Sequence, residues 1–405
     1  MGHSAAIVPL PAVWICWLWS RAMTLRWAFV LASCGSLLSC GDSRSAMHAQ
    51  GAGGASPDGG RSQDAGARGD AAQAGRDAAR RADGPRAGDG GTGCGTCPEG
   101  TTCGSANGLP VCRSATGIPR VGHVFVVLME NTTLQRLKDS TNTPYLHGLF
   151  AQGASANDYH GVAHPSLPNY IALVSGSTGG VQCDCNPTGG ACNPLVCNTL
   201  LGACGCAQPG HHLGDQLDAA RLSWRAYAED LGTPCNGTSA GSYAVRHVPF
   251  LYFTTLTADL PRCADRVVDY GQLTGDLAGE ERAFSFIAPN LVHDMHDPAP
   301  AGPQNLANGD AWLMTEIPKI TGSAAYRQGG LLVIVWDEDD LSGVLAPDDT
   351  IPMIVLSPYA KSGGYASTTH ADHYALLATL EDALGLPRLG AAAQARPLAD
   401  YFPDR

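Results

Sequence analysis

"VFVVLMENTT", Val124 to Thr133, decides the fold: six apolar residues rich in valine run directly into Glu130-Asn131. A run that is apolar at every position, rather than every second one, reads as a strand covered on both faces. Such strands belong to mostly parallel sheets flanked by helices. Ligands of those sheets bind beyond the carboxyl ends of the strands, so Glu130 and Asn131 stand where a site is expected. His123, about 23 Å away at the other end of the strand at roughly 3.3 Å per residue, does not.

Other runs share this character. "FSFIAPN", "LLVIVWDE" and "IPMIVLS" alternate with "YIALVSG" and "HYALLATLEDALG", and that alternation predicts an α/β sandwich with a mainly parallel central sheet flanked by helices, over residues 118–405. No internal repeat and no membrane-spanning run occurs in it.

The ends of these runs carry the chemistry. "LLVIVW" leads into Asp337-Glu338-Asp339-Asp340, and "FSFIAPNLVHDMHD" into Asp294, His296 and Asp297. Carboxylates gathered at one sheet edge repel one another unless a cation neutralises them. Oxygen donors of the Glu, Asn and Asp type suit a hard divalent ion of the Mg, Ca or Mn class better than zinc. Each cluster taken singly also reads as helix caps and solvated loop acids. Their recurrence at one edge favours the metal.

"HPSLPNYIALVSG" supplies a partner for that metal. Pro168 suits a first helical turn, so Ser166 lies at or just before a helix N-terminus, where an anion is favoured. Metal coordination would activate its hydroxyl without an adjacent base; alone, Ser166 also reads as an ordinary N-cap. Histidines are the third element: His164, His247, His296, His370 and His373. Those beside the carboxylate loops are candidates for holding phosphate or protonating a leaving group. His160, His211 and His212 read as structural.

The chain has 405 residues, 44% of them apolar and 7% aromatic, enough for one large domain with appendages. "MTLRWAFVLASCGSLLSCGDS", from Met23, has the order of an export signal too short to span a membrane permanently, and it resembles a bacterial lipoprotein signal with Cys40 as the lipidated residue. A plain cleaved signal is the alternative, and the residues before Met23 read as the product of a mis-chosen start codon in preference to a genuine extension. Residues 1–40 are thus an export region and the destination is the cell envelope or the medium, the membrane being met only through the lipid. Removing residues 1–39 takes away Arg21 and Arg26, so the net charge moves from −12 to −14. Such an acidic chain is a poor nucleic-acid binder.

Residues 41–92 are mostly Gly, Ala, Asp and Arg and bury too little to order themselves, which makes them a tether with a reach of about 40 Å. Of 15 cysteines, Cys16, Cys34 and Cys40 fall in the export region, leaving 12 in groups of four, six and two. Even groups in an exported chain predict disulfides: one set in a small module over residues 93–117, one in an insertion over residues 183–206, and Cys235 with Cys263. A redox or zinc reading of "CGTC" lacks the second CxxC or histidine pair it needs.

Together, "HVFVVLMENTT", "HPSLPNYIALVSG", "FSFIAPNLVHDMHD", "LLVIVWDEDD", "IPMIVLSPYAKSGGYAS" and "HYALLATLEDALGLPRLG" resemble the bacterial phosphoesterase family of acid phosphatases and phosphatidylcholine-type phospholipases C, within the alkaline phosphatase superfamily. The resemblance implies an alkaline-phosphatase-like sandwich and a small phosphoester substrate. It makes Glu130, Asn131, Asp337 and Glu338 the metal ligands and Ser166 the nucleophile that takes the phosphoryl group. It makes His247 and His296 phosphate or leaving-group contacts; His164, Asp294, Asp297, His370 and His373 are, from their place in the sequence, candidates for touching phosphate or standing behind the ligands. Two features depart from the pattern: the cysteine-rich insertion, and the loop after Asp340, which has no histidine. The expected activity is a metal-dependent phosphomonoesterase; the alternatives are a phospholipase C and a non-catalytic surface binding protein on the same fold.

Overall fold

A computed structural model describes residues 93–187, 206–279, 281–296, 303–340 and 350–403. Cys40, the export region, the tether, Asp297, Cys192, Cys197, Cys204 and the loop after Asp340 lie outside the described residues.

Strand β3 (Val124–Met129) occupies the middle of an eight-stranded sheet, and all six of its side chains are buried. Its neighbours β8 (Phe284–Ala288) and β9 (Leu331–Trp336) are parallel to it and buried at every position. Covering both faces explains why these runs do not alternate. Each Val, Leu or Ile so buried contributes about 1.5–3 kcal/mol. Parallel strands β6 (Trp224–Ala228) and β7 (Val267–Asp269) extend the β8 side. On the β9 side come β10 (Met353–Leu356), β4 (Ala154–Ala156) and β11 (Tyr365–Ser367). β10 is antiparallel to both its neighbours, so the sheet is mainly but not wholly parallel. An apolar run carries no mark of its direction.

Register brings the acids together. Met129 pairs with Trp336, so the next residues, Glu130 and Asp337, leave the sheet side by side, with Asp337 N–H donating to Met129 O at 3.1 Å. Glu130 N–H donates to Asp294 O at 2.8 Å, which draws in the segment beyond β8.

The helix Ser166–Ser175 begins at the expected serine and has Pro168 in its first turn. Gly176 closes it with φ 71°, and a Cβ there would lie 2.3 Å from Leu389 O, so only glycine fits both the left-handed backbone and the close approach. The helix His373–Leu384 packs against it. It starts where β12 (Ala371–Asp372) pairs in parallel with β5 (Tyr159–His160).

Strands β1 (Thr102–Ala106) and β2 (Leu109–Arg113) form a hairpin turned by Asn107-Gly108, both at positive φ, as a two-residue turn of that sequence favours. Asn107 Nδ2 donates to Pro358 O and Ala360 O, fastening the hairpin beyond the end of β10. The disulfides Cys94–Cys103, Cys97–Cys112, Cys185–Cys206 and Cys235–Cys263 each stay within one of the expected groups. Both cysteines of "CGTC" are thus oxidised to separate partners. Among the other expectations, His212 is buried and caps a helix, whereas His211, read as structural, is a surface residue with a 77% exposed side chain. No helix among the described residues is long and apolar enough to cross a membrane.

Candidate active site

Ser166 Oγ lies 3.0 Å from Glu338 Oε1, 3.2 Å from Glu130 Oε2 and 3.4 Å from Asn131 Oδ1. Four residues from three chain segments thus meet at one hydroxyl, almost entirely out of solvent. Asn131 ties the group together. Its backbone N–H donates to Asp337 Oδ1 at 3.0 Å and its Nδ2 to Glu338 Oε1 at 3.1 Å. It does so with φ 20°, at the edge of the region that non-glycine residues avoid, and such backbones cluster at functional sites.

The electrostatics are unbalanced. Burial pushes the Asp337 carboxyl well above the usual range, and the charges of Glu130 and Glu338 add to this. Burial likewise raises Glu338, against the opposing pull of His164. It raises Asp294 to about 7. Glu130 goes the other way: burial would raise it, but His247, Arg246 and His296 bring it down to about 2. Asp337 Oδ2 and Asp294 Oδ2 are buried without a hydrogen-bond partner. The unmatched Asp337 Oδ2, with the oxygens of Glu130, Asn131 and Glu338, makes an all-oxygen donor set of the kind a hard divalent cation fits.

The histidines divide by position. His164, 45% exposed, reaches Glu338 Oε2 through Nδ1 and Asp339 Oδ1 through Nε2 at 2.9 Å. It lines a cleft of about 220 Å³ with Gly161, Val162, Ala163, Glu338 and Asp339. Asn169 shapes that wall by accepting from Val162 N–H and Ala163 N–H and donating to Ala163 O. His247 is buried behind Glu130, with Nε2 2.8 Å from Glu130 Oε1 and its ring stacked on Tyr170, whose hydroxyl donates to the same oxygen. His296 follows Asp294, whose Oδ1 accepts its backbone N–H at 2.9 Å. His373 is buried: Nε2–H donates to Asp337 O at 2.6 Å and Nδ1 accepts from Tyr159 O–H at 3.0 Å. Burial lowers its pKa to about 4, so it is a neutral prop behind the cluster. His370 instead turns to Asp158, 3.2 Å away, on the outer side of the β5–β12 pair.

Two residues escaped the sequence reading. Asp184, between two cysteines of the insertion, accepts the Leu167 N–H at 3.0 Å, so a carboxylate caps the amide beside Ser166 at the helix N-terminus expected to welcome phosphate. Arg246 has Nε 3.9 Å from Asp184 Oδ2, with no hydrogen bond to that buried atom. Its charge helps hold Glu130 ionised. The only available signal was a cation adjoining His247 in sequence.

The phosphoesterase family model matches residues 121–387. A phosphatidylinositol-3-phosphatase of Mycobacterium tuberculosis is 32% identical over 292 residues, covering 71% of this chain and 84% of its own. An acid phosphatase of Aspergillus fumigatus is 25% identical, covering 66% of this chain and 55% of its own, so the chain spans little more than half of that relative. Among solved structures, a protein in the alkaline phosphatase superfamily from Vibrio parahaemolyticus superimposes with a TM-score of 0.46 at 12% identity, over 67% of this chain and 68% of the other. On the family match and the mycobacterial relative, the chain belongs to the phosphoesterase family and is a hydrolase of phosphoric ester bonds.

Proposed function

We propose that the chain is a phosphomonoesterase that works with a divalent cation and passes the phosphoryl group through Ser166. The observation that carries this is the convergence of Glu130, Asn131 and Glu338 on Ser166 Oγ within 3.4 Å. Glu130, Asn131, Asp337 and Glu338 would hold the cation, which when bound supplies positive charge to the phosphoryl oxygens and favours the ionised serine.

The chain's own groups do the rest. Glu338 Oε1, already accepting from Ser166 Oγ, is in reach of the serine proton. Ser166 Oγ bonds to phosphorus as the ester oxygen leaves, and His164, the imidazole at the cleft, gives that oxygen a proton. Water then attacks the phosphoserine, returning inorganic phosphate and the free hydroxyl. Phosphoryl transfer needs mainly positioning and charge, and Arg246, whose charge already acts on Glu130, is a guanidinium placed to offer it.

The relatives' names, a phosphatidylinositol-3-phosphatase and acid phosphatases, denote removal of phosphate from monoesters, which supports that class over a phospholipase C. The disulfides among the described residues support an oxidising compartment, and Cys40 is the residue we assign to the anchor. Turnover of p-nitrophenyl phosphate beside phosphatidylcholine, with and without chelator, tests the proposal. Monoester hydrolysis abolished by chelation is expected. Faster hydrolysis of phosphatidylcholine would make the protein a phospholipase, and no turnover of either would overturn the monoesterase reading.

A further inference from the structure

A second cluster of ligating side chains lies on the outer side of the β5–β12 pair, and no step proposed for Ser166 uses it. Asp158, at the bend before β5, and His160, the last residue of that strand, flank Tyr159, and their side chains meet on one side of it. The intervening Tyr159 points inward and is buried. β12 runs parallel to this segment, with Ala371 N–H donating to Asp158 O at 3.0 Å, which sets His370 beside Asp158.

Both imidazoles converge on one carboxylate oxygen. His160 Nε2 is 2.6 Å and His370 Nδ1 3.2 Å from Asp158 Oδ1, and the rings lie 4.9 Å apart between centroids. One ligand atom from each residue falls within 4.8 Å of the others. Tetrahedral ligands at about 2.1 Å from zinc stand roughly 3.4 Å apart, so small side-chain rotations close the set. The 37% and 71% exposure of the Asp158 and His370 side chains leaves room for them.

We propose that Asp158, His160 and His370 form a second metal site, distinct from the carboxylate centre, for a zinc-class divalent ion. Two borderline imidazole donors beside one carboxylate suit zinc, unlike the all-oxygen set around Ser166, so the two sites select different metals. Three protein ligands at a solvent-facing position leave the fourth to water. Tyr159 and His373 connect the strand pair to Asp337 O, so an ion here braces the backbone behind the catalytic loop.

The test is zinc binding to the full, oxidised chain after chelator treatment, measured by calorimetry and elemental analysis. Wild type and Glu130→Gln should each take up one zinc that His370→Ala and Asp158→Asn lose, with affinity falling more than about 100-fold. Zinc should raise the Tm of wild type and leave that of both variants unmoved. Circular dichroism checks that the variants fold; His370 is exposed and Asp158→Asn is isosteric, so both should. Equal zinc uptake by wild type and His370→Ala, or zinc lost only with Glu130→Gln, would overturn the site and reduce the cluster to an ion pair.

Discussion

The two ends of strand β3 handle polar groups in opposite ways. At the amino end, Arg120 donates to Leu384 O at 3.0 Å, His123 Nδ1 is 2.9 Å from Arg282 O, and Val121 N–H donates to Ala383 O. Neutral carbonyls receive these donors, and the result is a fastened chain. At the carboxyl end, Glu130, Asp294, Asp337 and Glu338 are buried together, with two carboxylate oxygens lacking any hydrogen bond. The amino end is balanced and the carboxyl end is not, because buried carboxylates repel one another until a cation neutralises them.

The comparison breaks first at Ser166. Replacing it with Ala should lower kcat by at least about 10⁴-fold, the scale of losing a nucleophile, while the melting temperature stays within a few degrees of wild type. Steady-state kinetics beside a thermal melt reads both. Activity retained within tenfold would move the nucleophile elsewhere.

Asp337→Asn sharpens the contrast, since it should act oppositely on activity and stability. We expect turnover to fall about 10³-fold and the chelated protein to melt higher than chelated wild type, because a neutral amide replaces an ionisable acid buried against Glu130 and Glu338. A lower melting temperature would mean that the carboxylate end holds the fold after all.

Arg246→Ala is predicted to raise KM by about 10–100-fold with a smaller change in kcat, as expected for a cation that receives phosphate. An effect on kcat alone would instead make Arg246 a guard of the Glu130 charge.

The smallest effect belongs to the amino end, which has one buried acid of its own. Glu381 accepts the Leu389 N–H at 2.8 Å, and burial raises its pKa to about 8, against the opposing pull of that bond and of Arg388. Below about pH 4.5 both folded and unfolded chains hold this proton. Between about pH 4.5 and 8 only the folded chain does, so stability falls as pH rises through that window and levels off above it. Glu381→Gln should flatten the fall, worth roughly 5 °C in Tm, without touching activity. An unchanged pH profile would contradict the buried acid.

How far these features could be read in the sequence follows from their range. Glu130 and Asp337 were legible because each follows an unbroken apolar strand, and strand ends locate sites in parallel sheets. Ser166 was legible through Pro168 and the helical run behind it. The direction of β10 was not, since apolarity is indifferent to orientation. Asp184 and Arg246 were hidden because their roles come from tertiary folding: the cysteine insertion bends back to Leu167, and Arg246 reaches the site from a short 3₁₀ turn. The histidines were the least legible. His373 and His370 are three residues apart, yet one props Asp337 and the other faces outward at Asp158. The hairpin turn at Asn107-Gly108, by contrast, carries a local sequence signature, since that dipeptide favours positive φ at both positions.

The most direct test of phosphoryl transfer through Ser166 is to mix the enzyme with a ³²P-labelled monoester, quench within a turnover in acid and, in parallel, in alkaline denaturant that preserves phosphohistidine, and map the label by peptide mass spectrometry. The account predicts acid-stable label on Ser166, approaching one per chain when dephosphorylation limits turnover, and none in Ser166→Ala. Label on a histidine, or turnover by Ser166→Ala at the wild-type rate, would contradict it.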